Sequence, residues 1–248
     1  MRKPTSILIT GASGGIGAAL ARDYASKGIH LALGGRDRAR LDEVTRACRA
    51  LGAKVSIQDV DVTDPAAMNG WIGEADAARP LDLVVANAGI STPWDLREGL
   101  REQLREVLAV NLDGVIHTVQ PALDVMRPRR HGQIALMSSI AGFHGMPRSP
   151  AYSVSKCAVK AYGEALRGLY WREGIRVSVI CPGFVQTRMT AKNAFPMPFL
   201  MTPERAARII RRGLARDRPR IVFPWQMLVI MRLLGLLPER LADRLLRL

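Results

Sequence analysis

Ser6-Ile7-Leu8-Ile9-Thr10-Gly11-Ala12-Ser13-Gly14-Gly15-Ile16-Gly17 is the stretch on which the reading of the chain turns. Ser6–Thr10 is a short run of strand-forming residues. Four glycines follow within seven positions, and then a helical pattern spans about Gly15–Lys27. A strand that breaks into a glycine-rich turn and restarts as a helix lets the backbone approach a phosphate closely. It also offers that phosphate the free N–H groups and positive dipole end of the helix. A glycine-rich loop alone is weak evidence, but one set between a strand and a helix carries much more.

Outward from this loop the same alternation repeats. Strand-like runs occupy Ile29–Gly34, Ala53–Gln58, Leu81–Ala86, Gly132–Ser138 and Ile175–Cys181. Helical patterns fill Asp37–Leu51, Asp64–Ala78, Arg101–Met126 and Ala151–Glu173, with Asp64 and Pro65 suited to cap and open the third helix. Strands that are apolar throughout, rather than alternating, belong to a parallel sheet covered on both faces. Right-handed crossovers then give a three-layer α/β/α doubly wound sheet. No repeat or linker divides the chain, so residues 1–248 are expected to form one domain. After Gly183 the pattern loosens. Residues 186–202 read as an excursion over the strand ends, a basic helix starts at Thr202-Pro203-Glu204, and Arg220–Phe223 is a last edge strand.

Composition bounds the possibilities. The chain has 248 residues, 48% of them apolar, which excludes a disordered chain and suffices for a large core. No apolar run is long enough for a membrane span, and the first residues lack the apolar segment of a signal peptide. Cys48, Cys157 and Cys181 are widely spaced, so neither a disulfide framework nor a metal site is expected. A reducing cytoplasm fits best. Lys+Arg 36 against Asp+Glu 22 gives a net charge of +14, yet the basic residues are scattered and no nucleic-acid motif accompanies them.

The spacing Thr10-Gly11-x-x-x-Gly15-x-Gly17 resembles the short-chain dehydrogenase/reductase family, and further motifs follow in that family's order. Asn87-Ala88-Gly89 comes after the fourth strand and Asn111 lies in the long helix. Ser139 stands thirteen residues before Tyr152, which opens Tyr152-Ser153-Val154-Ser155-Lys156. Pro182-Gly183 and Thr187 close the series. The resemblance covers roughly residues 5–190. It implies a Rossmann fold of about seven strands in the order 3-2-1-4-5-6-7 and an NAD(P)-dependent oxidoreductase. It assigns Tyr152 as general acid/base, Lys156 as the cation that lowers the Tyr152 pKa and holds the ribose, Ser139 as the group orienting the substrate oxygen, and Asn111 as the anchor of a proton relay. Spacing selects Ser139, with Ser138 as the fallback, because only one of two adjacent extended residues faces the site. The helical spacing of Tyr152 and Lys156 puts both on one face.

For the cofactor, the family pattern points to Gly11, Ser13, Gly14, Gly15, Ile16 and Gly17 at the phosphates, and to Asp61 and Val62 at the adenine. Asn87, Ala88 and Gly89 fall along the ribose and nicotinamide side, and Pro182, Gly183, Val185 and Thr187 near the carboxamide, together with Tyr152 and Lys156. After the second strand, Gly35 stands where an NAD-selecting acid would sit, and Arg36 can fork onto a 2′-phosphate. NADP(H) is therefore expected over NAD(H).

Ala141, His144, Phe184, Met189 and Phe195 are the candidate substrate residues. The excursion's Met189, Phe195, Met197, Phe199 and Leu200, with no acidic residue among them, favour a lipid-like ketone or secondary alcohol, with a 3-oxoacyl thioester reductase as the alternative activity. A non-catalytic NADP(H)-binding module is the alternative of another class. Residues 224–248 are apolar and punctuated by arginines, with Leu241, Leu245 and Leu248 at helical spacing. They are expected to bury in a homodimer or homotetramer interface, to fold over the active site, or to lie on the inner membrane surface as a peripheral contact.

Overall fold

The computed structural model describes residues 3–91, 99–193, 195–238 and 240–241. The tail residues Leu245 and Leu248 lie outside that range. Seven parallel strands form one sheet: β1 (Ser6–Thr10), β2 (His30–Gly35), β3 (Lys54–Asp59), β4 (Leu83–Ala86), β5 (Gly132–Met137), β6 (Ile175–Pro182) and β7 (Arg220–Phe223). Their order is β3-β2-β1-β4-β5-β6-β7, as the resemblance implied.

The helices are α1 (Gly15–Tyr24), α2 (Arg38–Ala50), α3 (Pro65–Ala78), α4 (Leu100–Leu108), α5 (Gly114–Met126), α6 (Pro150–Tyr170), α7 (Pro203–Ala215) and α8 (Trp225–Leu234). One core lies between the sheet and α1, α2 and α7, around Ile7, Ile9, Leu31 and Leu33. A second lies on the opposite face under α3, α5 and α6, around Leu8, Val84, Ile134 and Val177. Neighbouring strand residues point to opposite faces, so strands buried on both sides must be apolar throughout. Each large aliphatic side chain buried this way contributes about 1.5–3 kcal/mol.

Helix starts are fixed locally. Asp37 Oδ1 accepts from the Arg40 N–H at 3.2 Å, and Asp64 Oδ1 accepts from the Ala66 and Ala67 N–H groups at 3.0 Å. Thr202 Oγ1 accepts from the Arg205 N–H at 3.3 Å ahead of α7. Gly34 leaves room for Trp71 of α3, whose ring atoms lie 2.4 Å from where a Cβ would stand.

The single long helix expected over 101–126 is interrupted. Residues Ala109–Asp113 form one π turn between α4 and α5, and the buried Asn111 sits in it. An extra residue in a turn re-aims the side chains around it, an effect that hydrophobic periodicity does not show. The inner face of α8, through Met227, Met231 and Leu234, packs on Ile140, Phe143, Met146 and Phe184 of the same chain. The outer face of α8, with Trp225, Val229, Ile230 and Leu233, stays exposed. No described helix is long and apolar enough to cross a membrane.

The sheet order reverses between β1 and β4, so the loops leaving them diverge and open a crevice at the carboxyl ends of the strands.

Candidate functional site

A cavity of about 650 Å³ occupies that crevice. The phosphate loop forms one wall. Gly11 has φ +64° and lies so close to the β4 loop that a Cβ would stand 2.8 Å from Ala88 Cα. Asn87 straps the two segments, its Nδ2 donating to the Thr10 carbonyl at 2.9 Å and the Gly11 carbonyl at 3.2 Å. Thr10 Oγ1 accepts from the backbone N–H groups of Asn87 and Ala88 at 3.0 and 3.1 Å. Gly17 belongs to this strap. It does not line the cavity, and a Cβ there would fall 2.4 Å from the Gly11 carbonyl oxygen and 2.6 Å from Asn87 Nδ2. Its glycine makes room for the loop's own backbone, whereas Gly14 and Gly15 border the cavity.

Every other expected cofactor residue lines the cavity. Ser13, Ile16, Arg36, Asp61 and Val62 do so at one end, with Asn87, Ala88 and Gly89 along the middle. Pro182, Gly183, Val185, Thr187, Tyr152 and Lys156 complete the wall. Arg36 Nη1 stands 3.4 Å from Asp61 Oδ2, with the two side chains 64% and 39% exposed. Burial works to raise the Asp61 pKa, but hydrogen bonds from the Thr63 N–H and Oγ1, together with Arg36, hold it below the ordinary carboxylate value. Thr187 presses its methyl group on Gly15, 3.0 Å from a Cβ there, and its N–H donates to Thr190 Oγ1 at 2.9 Å.

At the other end Ser139, Tyr152 and Lys156 converge. Ser138 and Ser139 point apart. The buried Ser138 hydroxyl donates to the Lys156 carbonyl at 2.7 Å and pins β5 to α6. Ser139 Oγ accepts from the Ala141 N–H at 3.1 Å, donates to the Pro182 carbonyl at 3.4 Å, and lies close enough to Tyr152 to favour its ionised form. Lys156 Nζ donates to the Met137 carbonyl at 2.9 Å and lies 5.5 Å from the centre of the Tyr152 ring. Burial lowers the Lys156 pKa to about 8, by making the ammonium costly.

Burial raises the Tyr152 pKa, and the neighbouring Ser139 hydroxyl works the other way.

Asn111 is outside the cavity. Its side-chain amide is spent on the Ile90 N–H (2.8 Å), the Ile90 carbonyl (2.9 Å) and Ser155 Oγ (3.0 Å). The π turn thus braces the β4 loop against α6. A Cβ on Gly89 would stand 3.1 Å from Asn111 Oδ1 and 3.4 Å from Lys156 Nζ, so that glycine lets the two groups approach.

Of the candidate substrate residues, Met189 lines the cavity and Ala141, His144, Phe184 and Phe195 do not. Phe184 and Phe195 form an edge-to-face pair with centroids 5.9 Å apart. Phe184 also packs on α8. These aromatics hold the 186–202 excursion to the body. Sequence reasoning passed over Arg188 and Lys192, which line the cavity from that excursion. Their only signal was two cations beside Thr187 in a segment without acidic residues.

Known proteins agree with this architecture. The sequence model of the family described as short chain dehydrogenase matches residues 5–196. An uncharacterized oxidoreductase of Myxococcus xanthus is 37% identical over 237 residues, 95% of this chain and 94% of the relative. A short-chain dehydrogenase/reductase from Burkholderia phymatum, solved in complex with NAD, superposes with a TM-score of 0.86 at 24% identity, covering 95% of this chain and 94% of that one. A short-chain dehydrogenase from Sphingobium yanoikuyae, solved in complex with NADPH, superposes with a TM-score of 0.81 at 22% identity, covering 94% and 96%.

Proposed function

The chain belongs to the short-chain dehydrogenase family of oxidoreductases, and from that premise we propose that it transfers hydride between a nicotinamide dinucleotide and the carbon of an apolar ketone or secondary alcohol. The observation that carries the reading is that Ser139, Tyr152 and Lys156 line the same cavity as a glycine-rich loop at a helix N-terminus. The fit to a dinucleotide is supported by the cavity's volume of about 650 Å³ and by Gly14 and Gly15, which border it.

When bound, the nicotinamide ring supplies or accepts the hydride. The chain's own groups do the rest. The Ser139 hydroxyl orients the substrate oxygen. The Tyr152 hydroxyl gives that oxygen a proton in reduction and takes one back in oxidation. Burial favours the protonated Tyr152 hydroxyl, the form that donates in the reductive direction. Lys156 holds the ribose and returns the proton to Tyr152, while Asn111 fixes α6 beneath both.

NADP(H) is the preferred cofactor in this reading. At the end of β2 there is no acid, and Ser13 Oγ lies 3.4 Å from where a Gly35 Cβ would stand. The Arg36–Asp61 pair is exposed and long, so it is worth under about 1 kcal/mol and yields to a 2′-phosphate at little cost. The apolar substrate is supported by Met189 in the cavity and by Val110, Met137 and Val185 beside it.

The test has two parts. Titration monitored by tryptophan fluorescence is expected to show NADPH binding more tightly than NADH, and the reverse order would refute the Arg36 reading. With NADPH and a panel of apolar ketones, Tyr152→Phe is expected to bind cofactor normally and lose turnover by about a thousandfold. Unchanged turnover would remove Tyr152 from the chemistry.

A further inference from the structure

The 186–200 excursion is clipped at its base, the Gln186 N–H donating to the Met201 carbonyl at 2.8 Å and the Met201 N–H to the Phe184 carbonyl at 3.1 Å. Its first turn is rigid. Thr190 Oγ1 donates to the Val185 carbonyl at 2.6 Å and accepts from the Thr187 N–H at 2.9 Å, and a 3-10 turn continues through Thr190–Lys192. This turn brings the exposed Arg188 and Lys192 to the rim of the cavity. Arg188 Nη2 stands 3.6 Å from where a Cβ on Gly14 would lie, and no other non-neighbouring atom comes within 4 Å of that point.

Gly14 is the residue that precedes α1, and no side chain caps that helix. The positive end of α1 therefore faces a guanidinium across a short gap. Among the described residues neither Arg188 nor Lys192 makes an ion pair or a side-chain hydrogen bond. Arg36, at the adenosine end, already has Asp61. Two positive ends facing each other repel unless an anion lies between them.

We propose that Arg188 is the clamp residue that ties the 186–200 lid to the pyrophosphate of the bound dinucleotide, with Lys192 as a second, weaker contact. The inference rests on the dinucleotide reading of the cavity and adds to it a division of labour. Arg188 meets the diphosphate common to both cofactor forms, whereas Arg36 meets the 2′-phosphate that only one form carries. Because Arg188 lies on the lid, the clamp also ties that segment to the bound dinucleotide.

The experiment is calorimetric titration of the full chain and of Arg188→Ala with NADPH, NADH and ADP. Arg188 is exposed, so the variant is expected to fold, and its melting curve checks this. The clamp predicts about tenfold weaker binding of all three ligands, as expected for loss of one charge-assisted hydrogen bond, with partial recovery in Arg188→Lys. It also predicts that NADPH protects wild type from tryptic cleavage after Lys192, and that at equal occupancy Arg188→Ala is protected less. Equal affinities in variant and wild type would overturn the clamp. So would a loss confined to NADPH, which would make Arg188 a 2′-phosphate ligand. If wild type binds none of the three, the dinucleotide reading itself fails, and the clamp fails with it.

Discussion

The phosphate loop and the lid form opposite walls of one cavity, yet they are held in different ways. The loop is strapped by two polar side chains that bond backbone groups. Asn87 and Thr10 bind it to the β4 loop through four hydrogen bonds, and Gly11 and Gly17 remove the only side chains that would keep the segments apart. The lid is clipped at its base by two backbone hydrogen bonds and the Thr187–Thr190 turn, and beyond that it is held by apolar packing: the Phe184–Phe195 contact and the inner face of α8 behind it. A hydrogen-bonded strap at close backbone approach tolerates almost no substitution, whereas apolar packing accepts many shapes. The phosphate-loop wall is therefore closely specified and the lid adaptable, with Met189 at the cavity and Met146, Met227 and Met231 packed behind it.

That contrast can be broken by mutation. Between the two walls, the largest effect on stability belongs to Gly17→Ala. Helix propensity favours the change by about 1 kcal/mol. The overlap with the Gly11 carbonyl and Asn87 outweighs this, and a net loss of about 2 kcal/mol is expected in denaturant melts. A neutral Gly17→Ala would mean that the strap is loose.

Lys156→Met probes the floor between the two walls. The pKa of Lys156 falls from 10.5 when unfolded to about 8 when folded. Below pH 8 both states hold the proton, and the cost of burying the ammonium, about 3 kcal/mol, is fully present. Between pH 8 and 10.5 the unfolded chain binds more protons, so the wild-type contribution becomes more favourable as pH rises. Buried Cys48 and Cys181, raised to about 11 and about 12, work in the opposite direction but are common to both proteins. The difference between wild type and Lys156→Met should therefore shrink or shift in favour of wild type across that window. A difference independent of pH would show that Lys156 is not desolvated.

On the lid, Phe195→Ala removes one edge-to-face contact and should cost under about 1 kcal/mol. It is expected to change KM for bulky ketones more than it changes Tm. A loss of stability matching that of Gly17→Ala would erase the distinction between the walls. The smallest effect is expected on the outer face of α8. Trp225 is 68% exposed, so Trp225→Ser should move stability by less than about 0.5 kcal/mol, while Met231→Ala, on the inner face, costs about 2 kcal/mol.

The sequence by itself determined the layered parallel sheet, the strand–glycine–helix phosphate loop, the capping residues Asp37 and Asp64, and the pairing of Tyr152 with Lys156 on one helix face. These features are local: periodicity, propensity and side-chain spacing express them within a few residues. Tertiary structure decided the rest. It engaged the Ser138 hydroxyl with the Lys156 carbonyl, where β5 meets α6, and set Ser139 beside Tyr152. It turned Gly17 from a presumed phosphate contact into a space for Asn87, and placed Asn111 in a π turn that braces α6. It raised the Tyr152 pKa through burial, chose the inward docking of α8, and brought Arg188 over Gly14. Each of these depends on segments far apart in the chain, and on desolvation that exists only once those segments have closed around the site.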